Sequence, residues 1–320
     1  ETMKPKDAAA LFEAMDADLR ALLARSALRL SICTAMSHAF GARYGVPFEA
    51  FANGIEAADW PPRRLHAPGR LLVRYAGGLA PDMNAAVILR IARAVETLAD
   101  DGVDIAFEIN TQPWWLKQAA EDYKSFKATR IDARQRPFAA YANWLREADV
   151  LIVAYNFDEA TARYVRYSMA NKMPECLASG AAVLAHGPSG LATIDYLAST
   201  GTACVVNEDS DAAVAAALRR LQADHGARAA LAARGRALAF ERHDLADLRQ
   251  RLHGRLAEAS KNKAMRAFPS LPGAIRLACA QGTDTPALRP RLAALVGMPS
   301  LPPLPAVSDP GLAEAAAAGP

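Results

Sequence analysis

Residues 148–154, Ala-Asp-Val-Leu-Ile-Val-Ala, contain the clearest buried strand of the chain. Five consecutive apolar residues, 150–154, follow a single aspartate. A strand with one face in water alternates apolar and polar side chains, whereas a strand covered on both faces is apolar throughout. This stretch therefore predicts a central strand of a sheet that is buried on both faces.

On both sides of this strand, short apolar runs alternate with longer helical stretches. Residues 84–99, for example, place Ile88, Ile91 and Val95 on one face of a helix. Parallel strands need crossover connections that cover the sheet, so the alternation predicts an α/β fold, a parallel sheet with helices on both faces. The predicted strands cover residues 71–76, 103–109, 128–131, 150–154, 181–185 and 203–206. The predicted helices cover residues 84–99, 113–123, 137–148, 172–179, 191–199, 211–223, 227–240 and 244–259.

The segment before this block has a different pattern. Residues 7–25 repeat apolar side chains at helical spacing and precede an apolar run at 27–33, which predicts a helix followed by a strand. Thr34 is the predicted N-cap of a second helix over 35–44, and residues 48–55 are predicted to be extended.

Proline marks both boundaries of the regular block. Residues 60–69 contain three prolines and are predicted to separate two domains. Ten of the 20 prolines follow residue 259, which predicts a disordered tail or linker. We therefore predict the trailing part of one domain at 1–66, a complete domain at 67–259 and a proline-rich tail at 260–320.

Composition and charge exclude several classes of protein. The chain has 320 residues, 52% of them apolar, so it can bury a core of substantial size. Its 37 basic and 34 acidic side chains give a net charge of only +3, and nucleic acid is not expected as a partner. No apolar run reaches the length of about eighteen residues that spans a bilayer, so any membrane contact is expected to be peripheral.

The cysteine pattern indicates a reducing compartment. Cys33, Cys176, Cys204 and Cys279 lie far apart and form no metal-binding pair. We expect isolated thiols rather than a disulfide framework, and a cytoplasmic protein.

Ligands of open parallel sheets lie beyond the carboxyl ends of the strands, so the loops after the predicted strands were compared. Gly77 and Gly78 follow the strand 71–76, where a ligand or a neighbouring backbone can approach closely. No further glycine stands at the spacing of a dinucleotide motif. Asp158 follows the central strand and is a candidate acceptor for sugar hydroxyls, the alternative being a solvated loop.

A second candidate segment, residues 168–175, opens a short predicted helix. Ser168 and Asn171 are the predicted caps of this helix. Its free amides, with Lys172 beside them, are predicted to attract a phosphate. Glu175, one turn in, can accept two hydrogen bonds from a vicinal diol such as a ribose. The alternative is a capped surface helix with an exposed lysine and glutamate.

A third candidate segment is His186-Gly187-Pro188-Ser189-Gly190, between a predicted strand and a predicted helix. Two glycines that flank Pro-Ser make a tight turn whose amides can hold an anion. His186, Gly187, Ser189 and Gly190 are therefore candidate binding residues. A purely structural turn is the alternative.

No catalytic set is recognisable. The other five histidines stand without Ser, Cys or Asp partners at a known spacing. Trp114-Trp115 is predicted to pack as the start of a helix, the alternative being that it stacks on a sugar or a base. Catalytic residues are therefore left unassigned. No cluster of metal ligands is visible, so no metal or other cofactor is expected.

The order of these signals resembles glycosyltransferases of the GT-B fold, family four type. Residues 148–153 resemble the Ala-Asp-Val strand of that family. Residues 172–185, Lys-Met-Pro-Glu-Cys-Leu-Ala-Ser-Gly-Ala-Ala-Val-Leu-Ala, resemble its Glu-Ala-Met-Ala-x-Gly helix and the following Pro-Val strand. Residues 187–190 resemble its glycine-rich turn, and Tyr-Ala-Gly-Gly-Leu at 75–79 resembles the first strand and loop of its C-terminal domain. Residues 37–54 resemble its interdomain hinge.

The resemblance covers residues 27–259 and implies a Rossmann-like, nucleotide-sugar-binding half of a GT-B fold. An acceptor domain of comparable size normally precedes this half, so we expect a fragment of a longer chain. The resemblance implies that Glu175 binds the ribose diol and that loop amides and basic side chains bind the diphosphate.

Two features depart from the family pattern. Tyr167 stands where the family carries a second glutamate, and Gly78 and Met83 stand where it carries an arginine and a lysine. Lys172, Arg166 or Arg163 are candidates to replace the two cations.

The leading hypothesis is a retaining, metal-independent glycosyltransferase that moves a sugar from a nucleoside diphosphate sugar to a glycan or lipid-linked acceptor. Peripheral contact with the inner face of the membrane would then involve the N-terminal half. The first alternative is a nucleotide-sugar epimerase on the same fold, for which Asp158, Glu159 and His186 are the candidate residues. The second alternative is a catalytically inactive binding module.

Overall fold

The computed structural model describes residues 5–62 and 69–261. The proline-rich tail, Cys279 and most of the predicted boundary at 60–69 therefore lie outside the described residues. The chain divides into two compact units. Among the described residues, one unit comprises 30–39 and 49–253, and the other comprises 5–29, 40–48 and 254–261.

The larger unit contains the predicted parallel sheet. Its six strands are β3 Leu71–Ala76, β4 Ile105–Asn110, β5 Thr129–Asp132, β6 Val150–Ala154, β7 Ala182–His186 and β8 Ala203–Val206. All neighbours are parallel, and the order is β5-β4-β3-β6-β7-β8. Two further strands, β1 Leu30–Ser31 and β2 Glu49–Ala50, form a separate parallel pair.

Helices connect the strands and cover both faces of the sheet. Those that follow the strands of the sheet are α3 Ala85–Asp100, α4 Pro113–Tyr123, α5 Phe138–Arg146, α6 Glu159–Val165, α7 Met173–Ala178, α8 Ala192–Ser199, α9 Asp211–Ala223, α10 His225–Arg242 and α11 Leu245–Ser260. Before them come α1 Pro5–Arg25 and α2 Thr34–Tyr44, and a single 3₁₀ turn at Ala57–Asp59.

The central strand β6 shows why both of its faces are apolar. Val150 and Ile152 face a core that they share with Ile88 of α3, whereas Leu151 and Val153 face a second core that contains Leu177 of α7. All five side chains of β6 are buried. Alternate residues of one strand thus fill two separate cores, as the continuous apolar run predicted.

The strand order reverses between β3 and β6. From β3 the chain moves outward to β4 and β5, then returns to β6 and moves the other way to β7 and β8. In open α/β sheets such a reversal leaves a crevice at the carboxyl ends of the two adjacent strands, because the crossovers on either side leave in opposite directions.

Three local predictions in the larger unit were wrong. The apolar run at 27–33 forms only the two-residue strand β1, in which Leu30 is exposed and Ser31 is buried. Thr34 is the first residue of α2 rather than its cap. Helix α6 was not predicted, because Asp158 and Glu159 resemble a solvated loop in sequence and no long apolar stripe follows them.

The smaller unit contains α1. Asp16 of this helix accepts hydrogen bonds from Arg20 at 2.7 Å and from Arg43 at 2.8 Å. Phe40 packs against Tyr44 and Phe48 with ring centroids 6.0 and 5.7 Å apart. The predicted first helix is therefore confirmed.

Candidate functional site

The predicted binding residues lie in segments that follow three neighbouring strands of the sheet. Gly77 and Gly78 follow β3, the segment with Asp158 and Glu175 connects β6 to β7, and the turn at 187–190 follows β7. In sequence these segments are separated by up to about a hundred residues, yet β3, β6 and β7 are adjacent. The carboxyl ends of parallel strands meet at one edge, so the fold brings the loops that directly follow β3, β6 and β7 to the crevice at the reversal of strand order.

Glu175 lies in the first turn of α7 and is half-buried. Its Oε2 accepts a hydrogen bond of 2.9 Å from the hydroxyl of Tyr141 on α5. The ammonium of Lys172 lies 5.4 Å from the centroid of the Tyr141 ring. Burial raises the pKa of Glu175, and the Tyr141 hydrogen bond and the Lys172 charge both oppose that rise. The result is a carboxylate, a hydroxyl and a cation in one cluster.

The predicted caps of this helix are wrong. Lys172 occupies the N-cap position of α7, and no side chain caps the helix. The segment before the helix is bound by Thr193 of α8. The Thr193 hydroxyl donates to the Ser168 carbonyl and accepts from the Ala170 amide, both at 3.0 Å. Asn171 lies in the turn that precedes the helix and is exposed. Pro174 stands in the first turn, as predicted.

The two glycines after β3 allow a close approach of the chain's own aromatic side chains. A Cβ at Gly77 would lie 2.5 Å from the hydroxyl oxygen of Tyr75. That hydroxyl donates to the Gly78 carbonyl at 2.7 Å and accepts from the Asn84 side chain at 2.7 Å. A Cβ at Gly78 would lie 3.0 Å from Nε1 of Trp115. Tyr75 thus folds back over the loop and fixes its course.

The turn after β7 uses several of its polar groups within the chain. The Gly187 amide donates to the Val206 carbonyl at 3.2 Å. The Gly190 amide donates to the carboxylate of Asp195 at 3.0 Å, so an acid of the chain already occupies one amide that was predicted to hold an anion. Ser189 and Gly190 are exposed, and Gly190 has a φ of +85°, which favours glycine.

His186 is the last residue of β7 and is fully buried. Its Nδ1 donates to the Val206 carbonyl at 2.9 Å, which leaves Nε2 unprotonated and without a hydrogen-bond partner among the described residues. The Phe157 ring lies 5.0 Å away. Burial lowers the pKa of His186, so the imidazole is neutral at neutral pH.

Asp158 caps the helix that was not predicted. Its carboxylate accepts from the Thr161 amide at 2.8 Å and from the Thr161 hydroxyl at 2.7 Å. These bonds lower the pKa of Asp158. Arg163 and Arg166, the candidate replacement cations, belong to this helix and its C-cap and are exposed.

Tyr141 is the residue of this site that the sequence did not indicate. It lies 34 positions from Glu175 along the chain. On α5 it stands between Phe138 and Trp144, so its spacing is that of an ordinary core-facing residue. No local signal could have identified it.

The described residues form neither a cluster of metal ligands nor a helix that could span a membrane. Among residues 5–62 and 69–261, no group of three or more His, Cys, Asp or Glu side chains is arranged to hold a metal ion. The expectation that no metal takes part stays a prediction. Within the same ranges, no helix combines the length and the apolar character needed to span a membrane. Cys33, Cys176 and Cys204 are free and buried.

The comparisons with known proteins point to one kind of enzyme. Residues 90–254, just over half of the chain, match a protein family described as glycosyl transferase-like. No curated protein matches the chain as a whole or in part.

Solved structures share the fold. A UDP-forming α,α-trehalose-phosphate synthase from Burkholderia vietnamiensis has a TM-score of 0.53 at 17% identity, over 72% of this chain and 60% of that one. HepE from Anabaena, in complex with UDP-glucose, has a TM-score of 0.56 at 12% identity, over 72% and 64% of the two chains. Sucrose-phosphate synthase from Thermosynechococcus elongatus has a TM-score of 0.55 at 14% identity, over 72% and 58%. The chain thus spans less than two thirds of each of these proteins.

Proposed function

The chain belongs to the glycosyl transferase-like family, as its sequence resemblance implied, and on this premise we propose that it binds the nucleoside diphosphate sugar donor of a glycosyltransferase. The reaction moves the sugar to a hydroxyl group of a glycan or lipid-linked acceptor. Two of the structurally similar proteins are described as UDP-forming and as bound to UDP-glucose, so a uridine nucleotide is the first donor to test.

The observation that carries the proposal is the Glu175 carboxylate in the first turn of α7, on the connection from β6 to β7. It is half-buried, and only its Oε2 takes part in a hydrogen bond among the described residues. A carboxylate that is partly removed from water, with one oxygen available, is a strong acceptor for a ligand hydroxyl. In the proposed complex this hydroxyl belongs to the ribose of the donor.

Lys172 supplies the charge for the leaving group. During transfer the bond between the anomeric carbon and the β-phosphate oxygen breaks, and the nucleoside diphosphate keeps the electron pair. The acceptor oxygen forms the new bond to the anomeric carbon and gives its proton to the leaving diphosphate. Lys172 forms no ion pair among the described residues, so its ammonium is available to stabilise the charge that develops on the diphosphate. The retaining outcome and the absence of a metal belong to the same proposal.

The hydrogen bonds of two other candidates favour this function over the epimerase. Proton transfer at the sugar would require acids and a histidine that face the ligand. Asp158 instead caps α6, and His186, the buried last residue of β7, donates to the Val206 carbonyl. A glycosyltransferase of this kind needs neither group as an acid or base, because its main requirement is a stabilised leaving group.

Isothermal titration calorimetry with UDP, GDP and dTDP tests the proposal. At about pH 8, where an ordinary carboxyl group is ionised, Glu175→Gln is expected to raise the Kd for the preferred nucleotide by about tenfold or more, because it removes a charged acceptor. Glu121→Gln on α4 is the matched control, since Glu121 is exposed and pairs only with Lys124.

Two results would contradict the proposal. If none of the three nucleotides binds the full 320-residue chain, the inactive binding module becomes the better hypothesis. If Glu175→Gln binds as tightly as the unchanged chain, Glu175 is not the ribose acceptor. Product analysis with UDP-glucose and no acceptor separates the epimerase, which alone would convert the sugar.

A further inference from the structure

We propose that Tyr141 is the positioning residue of the donor site, where its hydroxyl orients Glu175 and its ring face holds Lys172. This inference rests on the proposed function and adds a residue to it. Tyr141 acts through its two neighbours, and so its removal should change how they bind the donor.

The ring of Tyr141 is fixed by an aromatic row. Its centroid lies 6.3 Å from that of Phe138, one turn earlier on α5, and Phe138 meets Trp60 edge-on at 6.2 Å. Phe138 is exposed, but Trp60 is almost completely buried, and Tyr141 itself packs against the core cluster that contains Trp60. A ring held in this way presents its hydroxyl and its face in fixed directions.

The hydroxyl acts on Glu175. It donates to Oε2 at 2.9 Å, which leaves Oε1 without a hydrogen-bond partner among the described residues. The side chain of Glu175 has three rotatable bonds, and one fixed oxygen removes most of that freedom before the donor binds. Oε1 is then the atom that accepts a ribose hydroxyl.

The ring face acts on Lys172. The ammonium lies 5.4 Å from the ring centroid, within the range of a cation–π contact. Lysine is long and flexible, and this contact keeps its charge beside Glu175 instead of in open solvent. One side chain of α5 thus places both the acceptor for the ribose and the cation for the diphosphate.

Few other titratable or charged groups surround Glu175. Tyr141 faces it from α5, and Lys172 and the buried Cys176 thiol, whose pKa burial raises to about 12, flank it along α7. Helix α10 packs on α7 and brings Arg236, which donates to the backbone carbonyls of Ala178 and Trp60. Burial raises the pKa of Glu175, and Tyr141 is the first group that lowers it. Loss of the hydroxyl should therefore raise that pKa further.

Two substitutions separate the two roles. Tyr141→Phe removes the hydroxyl and keeps the ring face, whereas Tyr141→Leu removes both. Tyr123→Phe on α4 is the control for the loss of a tyrosine hydroxyl elsewhere, since Tyr123 is buried and belongs to another helix. The full 320-residue chain is titrated with UDP and with 2′-deoxy-UDP at several salt concentrations, between about pH 5 and pH 8, the range in which a raised carboxyl pKa is visible.

The unchanged chain should prefer UDP to 2′-deoxy-UDP by about tenfold, the worth of one charged hydrogen bond. Tyr141→Phe should weaken UDP binding, reduce this preference and move the acid loss of affinity to higher pH, because Glu175 then gains its proton earlier. Its salt dependence should remain, since Lys172 keeps its place. Tyr141→Leu should in addition bind UDP with a weaker dependence on salt.

The outcomes distinguish this inference from the proposed function. If UDP, GDP and dTDP all fail to bind the unchanged chain, both are overturned. If UDP binds and Tyr141→Phe keeps the wild-type preference and pH profile, only the positioning role of Tyr141 is overturned. If Tyr141→Phe and Tyr141→Leu show identical salt dependence and identical affinity, the ring face does not hold Lys172. A similar loss in Tyr123→Phe would mean that the effect is general destabilisation.

Discussion

Nε of Arg74 on β3 lies 2.8 Å from Oε2 of Glu108, its register partner on β4. The guanidinium is buried, and it also donates to the Trp144 carbonyl and reaches Glu147 at 3.3 Å. Its carbon atom lies 4.7 Å from the centroid of the Trp144 ring. A full positive charge is therefore held beside the central strands, where only paired and stacked charges are tolerated.

Removal of both partners should cost less than the sum of the two single removals. Glu108→Ala leaves the Arg74 charge buried with fewer acceptors and is expected to lower the free energy of unfolding by about 2 kcal/mol. The double variant Arg74→Met/Glu108→Ala should lose less than the sum of the two single losses. The free energies of unfolding of the two single variants and the double variant form a double-mutant cycle, which urea denaturation followed by tryptophan fluorescence measures. Strictly additive losses would mean that the two side chains do not stabilise each other.

The buried histidines should make stability depend on pH below neutrality. Burial lowers the pKa of His186 and of His243 from the ordinary value of 6.5. As pH falls below 6.5, the unfolded chain gains protons that the folded chain does not bind, so the free energy of unfolding should fall by up to about 1.4 kcal/mol per pH unit for each histidine. Above pH 6.5 both histidines are mainly neutral in the folded and the unfolded chain, so they should no longer change the free energy of unfolding with pH.

Denaturation midpoints at a series of pH values measure this effect. His186→Gln should flatten the slope, whereas His225→Gln, at an exposed position of α10, should leave it unchanged. A slope in His186→Gln equal to that of the unchanged chain would show that His186 takes up its proton at the same pH in the folded and unfolded states.

Two glycines should respond to alanine in opposite ways. A Cβ at Gly77 would lie 2.5 Å from the Tyr75 hydroxyl, so Tyr75 has to move and lose its bond to Gly78. We expect Gly77→Ala to destabilise the chain by about 1 to 3 kcal/mol. Gly254, in the exposed interior of α11, has no atom within 4 Å of its Cβ position, and Gly254→Ala should stabilise the chain by about 0.5 to 1 kcal/mol. Thermal unfolding of both variants measures the two changes in stability. A Gly77→Ala variant as stable as the unchanged chain would mean that the loop accommodates the added methyl group without loss.

The sequence predicted the strands β3, β6 and β8 with their correct ends, because each is a mostly apolar run that begins directly after a polar residue. It also singled out loops after three strands that prove to be neighbours. Helix α6 escaped prediction, since its cap Asp158 and the following Glu159 have the composition of a loop. Periodicity reports burial along one segment, and it carries no information about which segments meet.

The hydrogen bonds within the site join elements that are distant along the chain, so periodicity could not predict them. Tyr141 reaches Glu175 across 34 positions, and Thr193 holds the segment that was expected to cap α7. The Asp195 carboxylate occupies an amide of the turn after β7 from the following helix. Each contact joins two elements that the sheet brings together, and thus the sequence indicated the place of the site but not the contacts within it.

Two variants of Asp158 should distinguish a structural role of its carboxylate from a role in sugar binding. Both oxygens of its carboxylate accept hydrogen bonds from Thr161 at the start of α6, and these bonds lower its pKa. Asp158→Ala should lower the denaturation midpoint, whereas Asp158→Asn, which can still cap the helix, should recover most of it. Because the folded pKa lies below the usual 3.8, this contribution should persist above that pH and disappear as the pH falls through the lower folded value.

The two variants also decide whether Asp158 contacts the donor sugar. Calorimetry with UDP and with UDP-glucose measures the part of the affinity that comes from the sugar. If Asp158 acts only as a cap, Asp158→Asn should bind both ligands as the unchanged chain does. An equal loss of UDP-glucose affinity in both variants, with UDP affinity intact, would instead assign the carboxylate to a sugar hydroxyl, since the amide retains the cap but not the charge that strengthens such a bond.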